Sequence, residues 1–87
     1  MLIIERTRED NGTLTLTLAG RLIGAWVHEL ASECERILAT GMRLGLDLAL
    51  VSFVDADGAD LLRALAGRDV TLLHCSPFVV EQVGMRA

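Results

Sequence analysis

The chain lacks lysine and tyrosine, and it has a single proline, two cysteines and only 3% aromatic residues. All eight basic residues are arginines, scattered along 87 residues, and the formal net charge is −4. Nucleic-acid-binding domains usually carry a basic stripe, and single-strand binders also carry aromatic stacking platforms. Because both features are missing, we expect no nucleic acid among the partners of this chain.

Long uncharged runs are also absent. The longest, residues 70–80, has 11 residues and contains the proline, whereas a membrane-spanning helix needs about 18 or more apolar residues. The apolar start of the chain lacks the basic flank and the length of a secretory signal. With 52% hydrophobic residues and a mean hydropathy of +0.45, the composition predicts one cytoplasmic domain over residues 1–87, with no membrane insertion.

The cysteines and histidines form no recognisable metal motif. Cys34 and Cys75 lie far apart, neither belongs to a CxxC pair, and His28 and His74 add no ligand spacing. We therefore expect no metal, no cofactor and two reduced, mostly buried thiols. A small thiol or hydrolytic enzyme using Cys75 and His74 is the enzymatic alternative. It is disfavoured because adjacent strand residues point to opposite faces of a sheet.

Hydrophobic periodicity predicts an N-terminal hairpin. Residues 13–19 (TLTLTLA) alternate strictly between apolar and polar, which indicates a half-buried strand. Asn11-Gly12 before it is a strong hairpin turn signal, so the apolar run at residues 2–5 is the expected antiparallel partner. Gly20 is expected to end the second strand.

The remaining chain alternates between helical and strand patterns. Residues 44–54 are apolar at nearly every position, which is typical of a strand covered on both faces. Since strand–helix–strand units make parallel neighbours, the predicted fold class is α/β. It is a small mixed β-sheet, with an antiparallel hairpin and then parallel strands, flanked by helices in the order ββαβαβα. The other predicted elements are a helix over 24–40, a helix over 58–66, a strand over 70–74 and a last helix opened by Ser76-Pro77.

The segment FVDADG, residues 53–58, joins a predicted strand to a predicted helix and carries two acids. A calcium loop starting at Asp55 would need glycine at the sixth position and glutamate at the twelfth, and this segment has neither. No nucleophile or phosphate-binding loop accompanies the acids, so nothing favours a catalytic carboxylate pair. Asp57 is predicted to cap the helix, with Asp60 as its capping-box partner.

The carboxyl ends of parallel strands are where open α/β sheets meet ligands and partners. The predicted topology brings several polar side chains to that edge, with Trp26 near it. Trp26 is either an interface anchor, since tryptophan is enriched at binding hot spots, or a core residue of a small domain. The polar residues expected at the edge are Arg21, Asp55, Asp57, His74 and Cys75.

Residues 46–58 (LDLALVSFVDADG) resemble the signature of STAS domains, the fold of bacterial anti-sigma factor antagonists. In that signature an aliphatic strand with Asp-Leu leads to Asp-Ser-Ser-Gly at the start of a helix. LAGRL at 18–22 and SPFVVEQVG at 76–84 resemble the flanking family segments, so nearly the whole chain is covered. The resemblance implies a non-enzymatic signalling module in transcription regulation. Its expected partner-binding residues are Arg21, Trp26, Asp55, Ala56, Asp57 and Gly58.

The resemblance also implies a partner and a switch. In the family, a kinase phosphorylates the first serine of Asp-Ser-Ser-Gly and thereby breaks the complex with the anti-sigma factor. Here that position is Ala56, so the usual switch cannot operate. Asp57 lies one residue late and carries about half the charge of a phosphate. The implied partner is an anti-sigma factor or a serine kinase-like protein. The alternative is an accessory subunit of an ABC-type transport complex, bound to its ATPase subunit.

The chain stops about where longer members of this family continue with a further strand and helix. The strand over residues 70–74 is then expected to leave an open sheet edge. Open edges invite pairing with another chain, so a homodimer is a further expectation.

Overall fold

The structure, a computed structural model, describes residues 1–84, so the predicted domain over 1–87 extends three residues beyond the described part. Its first feature is the predicted hairpin, formed by antiparallel strands β1 (Leu2–Asp10) and β2 (Thr13–Leu22). At the turn, Asn11 has φ 51° and Gly12 has φ 79°. Two left-handed residues match the twist of the strands they connect, which explains why the Asn-Gly signal was reliable.

The elements after the hairpin follow the predicted order, and the fold class is confirmed. One sheet of four strands has the order β1-β2-β3-β4, in which β3 pairs parallel with both β2 and β4. The apolar stripe on the first helix includes three buried residues, Leu30, Cys34 and Ile37. The remaining elements are α1 (Ala25–Ala39), β3 (Arg43–Val54), α2 (Ala56–Ala66), β4 (Thr71–Leu73) and α3 (Pro77–Val83).

The prediction that Gly20 ends the second strand was wrong. β2 continues to Leu22, and Gly20 lies inside it with φ 111°, a conformation that glycine adopts at little cost. The pairing with β3 shifts register just after Gly20, and the amide of Arg21 donates a hydrogen bond of 3.0 Å to the carbonyl of Met1. Glycine therefore marks a β-bulge here and does not mark a terminus.

The prediction that β3 is covered on both faces was also wrong. The alternating leucines of β2 are buried together with the apolar residues of the helices, but the threonines between them face an open groove of about 590 Å³. On that same face of β3, Leu50 is 63% exposed and Phe53 is 37% exposed. An aliphatic run in the sequence does not indicate which of its side chains are covered. It therefore gave no sign that the helices cover only one face of the sheet. We call the uncovered side the open face.

Asp47, an acid within the apolar strand, has polar partners close by. Its Oδ1 accepts the amide of Ala49 at 3.0 Å, and the Nδ1 of His74 lies 3.2 Å from the same oxygen. These contacts, led by the Ala49 amide, lower the pKa of Asp47. Because Thr17 pairs with Asp47 and Ala19 pairs with Leu50, β3 contains one extra residue at this point. The polar group therefore stabilises an irregularity in the strand.

Candidate functional site

The candidate site is the exposed turn between β3 and α2, residues 55–58, which we call the rim. Asp55 has extended backbone angles, φ −82° and ψ −179°, and α2 begins at the next residue. One carboxylate oxygen of Asp55 accepts the amide of Gly58 at 2.7 Å, and the other accepts the amide of Gly24 at 3.0 Å. Asp55 therefore caps α2 and ties that helix to the loop before α1.

Asp57 was predicted to be the helix cap, and this was wrong. The helix begins two residues earlier than the sequence pattern predicted, so Asp57 already lies in its first turn and Asp55 is the cap. The expected capping-box partner, Asp60, instead pairs with Arg63 on the exposed surface of α2. Asp55 and Asp57 are the same residue type and lie two positions apart, so in the sequence either could be the cap. Only the backbone angles decide which of the two is the cap.

Hydrogen bonding sets the charge state of Asp55. The amide of Gly24, and then that of Gly58, lower the pKa of its carboxyl group below the ordinary value of 3.8. Both amides donate to the ionised form and therefore favour it. Asp55 is thus a carboxylate near neutral pH, with its two oxygens directed at backbone amides. This arrangement suits a structural role and leaves the neighbouring residues to face a partner.

Ala56 and Asp57 form the outer surface of the rim. Both side chains are exposed, and Asp57 makes no ion pair within residues 1–84. Asp57 also lies in the first turn of α2, where the helix dipole favours a negative charge. Ala56 is the first residue of the helix. It stands where the resemblance would place the phosphoacceptor, and it offers a methyl group to solvent.

Gly58 lies beneath the rim, where a side chain could not fit. It is buried, and a Cβ added to it would come within 2.8 Å of the carbonyl oxygen of Leu22 and 2.9 Å of Cγ1 of Val54. This close approach brings the first turn of α2 against the ends of β2 and β3. Gly58 was predicted as a contact residue, but its position makes it a support for the exposed pair beside it.

The other two predicted partner-binding residues lie outside the rim. Arg21 is exposed on the open face, and its guanidinium carbon lies 5.6 Å from the centre of the Phe53 ring. Trp26 is half-buried near the start of α1 and packs against the hydrophobic core. The structure therefore brings Asp55, Ala56, Asp57 and Gly58 together in one turn and places Arg21 and Trp26 elsewhere.

Sequence reasoning missed several contacts that shape this end of the molecule. Gly24 has φ 56° and donates its amide to Asp55, and the side-chain amide of Gln82 donates to the carbonyl of Val54 at 3.0 Å. The rings of Phe53 and Phe78 lie with their centres 6.1 Å apart. Each contact joins residues at least 25 positions apart, so local periodicity carried no signal for them.

Two observations disfavour the enzymatic alternative. His74 pairs with Asp47, and desolvation raises the pKa of the half-buried Cys75 thiol, whereas a nucleophilic cysteine needs a lowered pKa. Cys34 is fully buried, and burial together with the nearby Glu33 and Glu35 raises its pKa to about 12.

Within residues 1–84, no three His, Cys, Asp or Glu side chains cluster so that they could hold a metal ion. No helix among those residues has both the length and the apolar character needed to cross a membrane.

Substitution of the two rim acids tests which of them caps α2. We expect Asp55→Ala to lower the melting temperature by roughly 4–8 °C, the shift typical for loss of a helix cap in a small domain. Asp57→Ala is the matched control and should change it by less than about 2 °C, since a surface charge near a helix end contributes little. Thermal unfolding followed by circular dichroism measures both.

The same pair of variants gives a pH dependence with a defined sign. Because the folded-state pKa of Asp55 is lowered, its ionised form stabilises the fold above the unfolded-state pKa, and this stabilisation disappears as pH falls through the folded-state value. The difference between wild type and Asp55→Ala should therefore be large near neutral pH and shrink as the pH falls below the ordinary aspartate pKa of 3.8. A difference that grows on acidification would contradict this assignment.

Comparison with known proteins supports the fold. No protein-family model matches the chain, and no curated protein matches it significantly. Among solved structures, the chain is similar to the anti-sigma factor antagonist SpoIIAA in its unphosphorylated form. The two share 18% sequence identity and superpose with a TM-score of 0.72 over 97% of this chain and 84% of that one. The arrangement ββαβαβα around one mixed sheet is therefore a STAS-like fold, the fold of an anti-sigma factor antagonist.

Proposed function

We propose that this chain is a non-enzymatic, cytoplasmic protein-binding module of the anti-sigma factor antagonist type, and that its regulatory partner docks on the rim. The observation that carries the proposal is the pairing of a SpoIIAA-like fold with an exposed turn at the carboxyl end of β3. Partners of open α/β sheets bind at this end of the strands.

The rim has the properties of a small docking surface. Asp55 is held by two backbone amides and Gly58 by close packing, so the turn is fixed before a partner arrives. Pre-ordering of this kind reduces the entropy lost on binding. Asp57 presents a charge that no described residue neutralises, which favours a partner with a basic group opposite it.

Ala56 makes the proposed module insensitive to phosphorylation at this position. The nearby serines are already engaged: Ser52 donates its hydroxyl to the carbonyl of Gly20, and the Ser76 hydroxyl caps α3 by accepting the amide of Val79. The rim is therefore kept in the state that an unphosphorylated antagonist presents. Binding would be controlled by the amount of protein or by competition.

Binding to an anti-sigma factor tests the proposal. We expect the purified chain to bind the anti-sigma factor kinase from its own genome, and Asp57→Arg to weaken binding by about tenfold or more, measured by calorimetry. Glu29→Arg is the control. Glu29 is exposed on α1, so this substitution makes the same change of charge outside the rim. No binding to any such kinase would contradict the proposal, and capture of a transporter ATPase subunit would favour the accessory-subunit alternative.

Restoring the hydroxyl tests the lost switch. Ala56 is exposed at the first position of α2, so serine should be tolerated there. With the same kinase and ATP, we expect Ala56→Ser to incorporate phosphate and lose affinity, because a phosphate adds a charge of about −2 at the docking surface. The wild-type chain should incorporate none while remaining bound. Equal phosphorylation of both proteins would show that another residue is the acceptor.

A further inference from the structure

Three adjacent rows of side chains cross the strands at the end of the open face nearest the rim, beyond the rows that contain Thr13 and Thr15. Pairing places Glu5, Thr17, Asp47 and Leu73 side by side in the first row. Cross-strand neighbours on one face have Cβ atoms about 5 Å apart, so each row is a continuous strip. Because Thr17 and Asp47 line the open groove, this acidic row lies on the uncovered side.

The second row is apolar and the third is basic and aromatic. Ala19 pairs with Ile3 on one side and with Leu50 on the other, and Ile3 is 49% exposed. One step further along the strands, Arg21 pairs with Phe53. In this part of the open face, the three successive rows are therefore acidic, apolar and basic.

Nothing within the described residues covers the apolar row. Leu50 is more exposed than any other described large hydrophobic residue except Met1, and Phe78, which packs on Phe53, is 47% exposed. Contiguous exposed apolar groups of this kind mark interaction surfaces. Of the charges that flank the row, Glu5 and Arg21 make no ion pair in residues 1–84, whereas Asp47 contacts His74.

We propose that a second copy of this chain packs on the open face, sheet against sheet. Consider a two-fold axis that lies between the sheets and runs along the apolar row. It would place Ile3 and Leu50 opposite Ile3 and Leu50 of the second copy. The axis also reverses the strand direction, so the basic row of each copy faces the acidic row of the other. Arg21 of one copy then lies opposite Thr17 of the other, with the carboxylates of Glu5 and Asp47 on either side.

This match of charges is the reason to assign the surface to a second copy. An isologous interface requires a surface that complements itself after a two-fold rotation. Three rows in the order acidic, apolar and basic meet that requirement when the axis runs along the middle row. Ala19, at the middle of that row, lets two sheets approach to the usual separation of about 10 Å.

The size of the molecule is compatible with such an interface. It measures 30 × 29 × 19 Å, and a two-layer domain is thinnest across its layers, so the open face is one of the broad sides. A whole broad side of this size is comparable to the roughly 800 Å² that each partner contributes to a standard interface, and the three rows form part of that side. The rim lies beyond the last row, and the proposed dimer does not depend on the proposed function.

Sedimentation of the purified chain tests the dimer. We expect wild type to sediment at twice the chain mass of 9.4 kDa, and Leu50→Asp to weaken the dimer by about 100-fold or more, because each interface would bury two new charges. Leu50 is exposed, so the variant should keep the circular dichroism spectrum of the wild type. Ala64→Asp adds the same charge to the exposed side of α2 and should remain dimeric.

Charge reversal identifies the arrangement of the two copies. Glu5→Arg and Arg21→Glu should each weaken the dimer by about tenfold, and the double variant should recover part of that loss because the new charges again face each other. Glu29→Arg, on the helix layer, should have no effect. A wild-type chain that is monomeric at every concentration, or a dimer that survives Leu50→Asp, would overturn the proposal.

Discussion

Replacing Gly58 with alanine is expected to lower the free energy of unfolding by about 2 kcal/mol, the balance of two opposing effects. Overpacking costs up to about 3 kcal/mol, and here the new Cβ would meet the carbonyl of Leu22 at 2.8 Å, a backbone atom that cannot rotate away. Alanine recovers about 1 kcal/mol through its higher helix propensity. Urea unfolding followed by circular dichroism measures the net change.

Gly67→Ala is the matched control for this prediction. Gly67 lies at the other end of the same helix with φ −70°, and a Cβ there would have only ordinary contacts at 3.5 and 3.6 Å. The same substitution should therefore be neutral or slightly stabilising, since alanine loses less conformational entropy on folding. If Gly58→Ala were as well tolerated as Gly67→Ala, the close approach of α2 to the ends of β2 and β3 would be wrong.

Gly20→Ala is expected to have the largest effect of the single substitutions considered, about 3 kcal/mol or more, because two costs add. Its φ of 111° is a conformation that alanine rarely adopts, and the added Cβ would clash with the carbonyl oxygen of Met1. That carbonyl accepts the amide of Arg21. The start of β1 should therefore separate from β2, which hydrogen exchange at the Arg21 amide would detect together with the loss of stability.

Gly45→Ala provides the comparison within the same sheet. Gly45 lies in β3, and the nearest atoms to a new Cβ would be the Thr15 hydroxyl at 3.4 Å and a leucine methyl at 3.7 Å. Both are side-chain atoms at ordinary distances, so we expect a change of less than about 1 kcal/mol. Equal sensitivity at both glycines would mean that the β-bulge at Gly20 is not a special backbone position.

Much of the fold followed from local chemistry. The Asn-Gly turn fixed the hairpin through backbone conformations that few residues accept, and the stripe on α1 placed Leu30, Cys34 and Ile37 in the core. The order of strands and helices then left few topologies, because crossover connections are right-handed. These predictions succeeded because each depends on residues close together in the sequence.

The wrong predictions concern features that depend on contacts between residues distant in the sequence. Asp55 and Asp57 are equally good caps as residue types, and the choice between them depends on where β3 ends. Leu50 and Phe53 of β3 were expected to be buried because they are apolar. They are exposed because the helices lie on the other side of the sheet. The pairing of Phe53 with Phe78 joins two distant segments, and no periodicity could indicate it.

The place of residues 55–58 in the fold was predicted more accurately than the contacts of each residue. The edge at residues 55–58 is an exposed turn at the carboxyl end of a parallel strand, as the segment FVDADG suggested. The different positions of these four residues could be seen only in the structure. Asp55 and Gly58 hold the turn, while Ala56 and Asp57 face solvent. Binding by this turn remains a proposal, supported by its fixed geometry and its position.

The most direct test of that proposal is an NMR titration of the isotope-labelled chain with the anti-sigma factor kinase from the same genome. If the partner docks where we propose, the largest amide shift changes will fall on Ala56, Asp57 and the neighbouring first turn of α2, with no need for ATP. Changes confined to the outer surface of α1 or to the threonines of β2, with residues 55–58 unaffected, would contradict it.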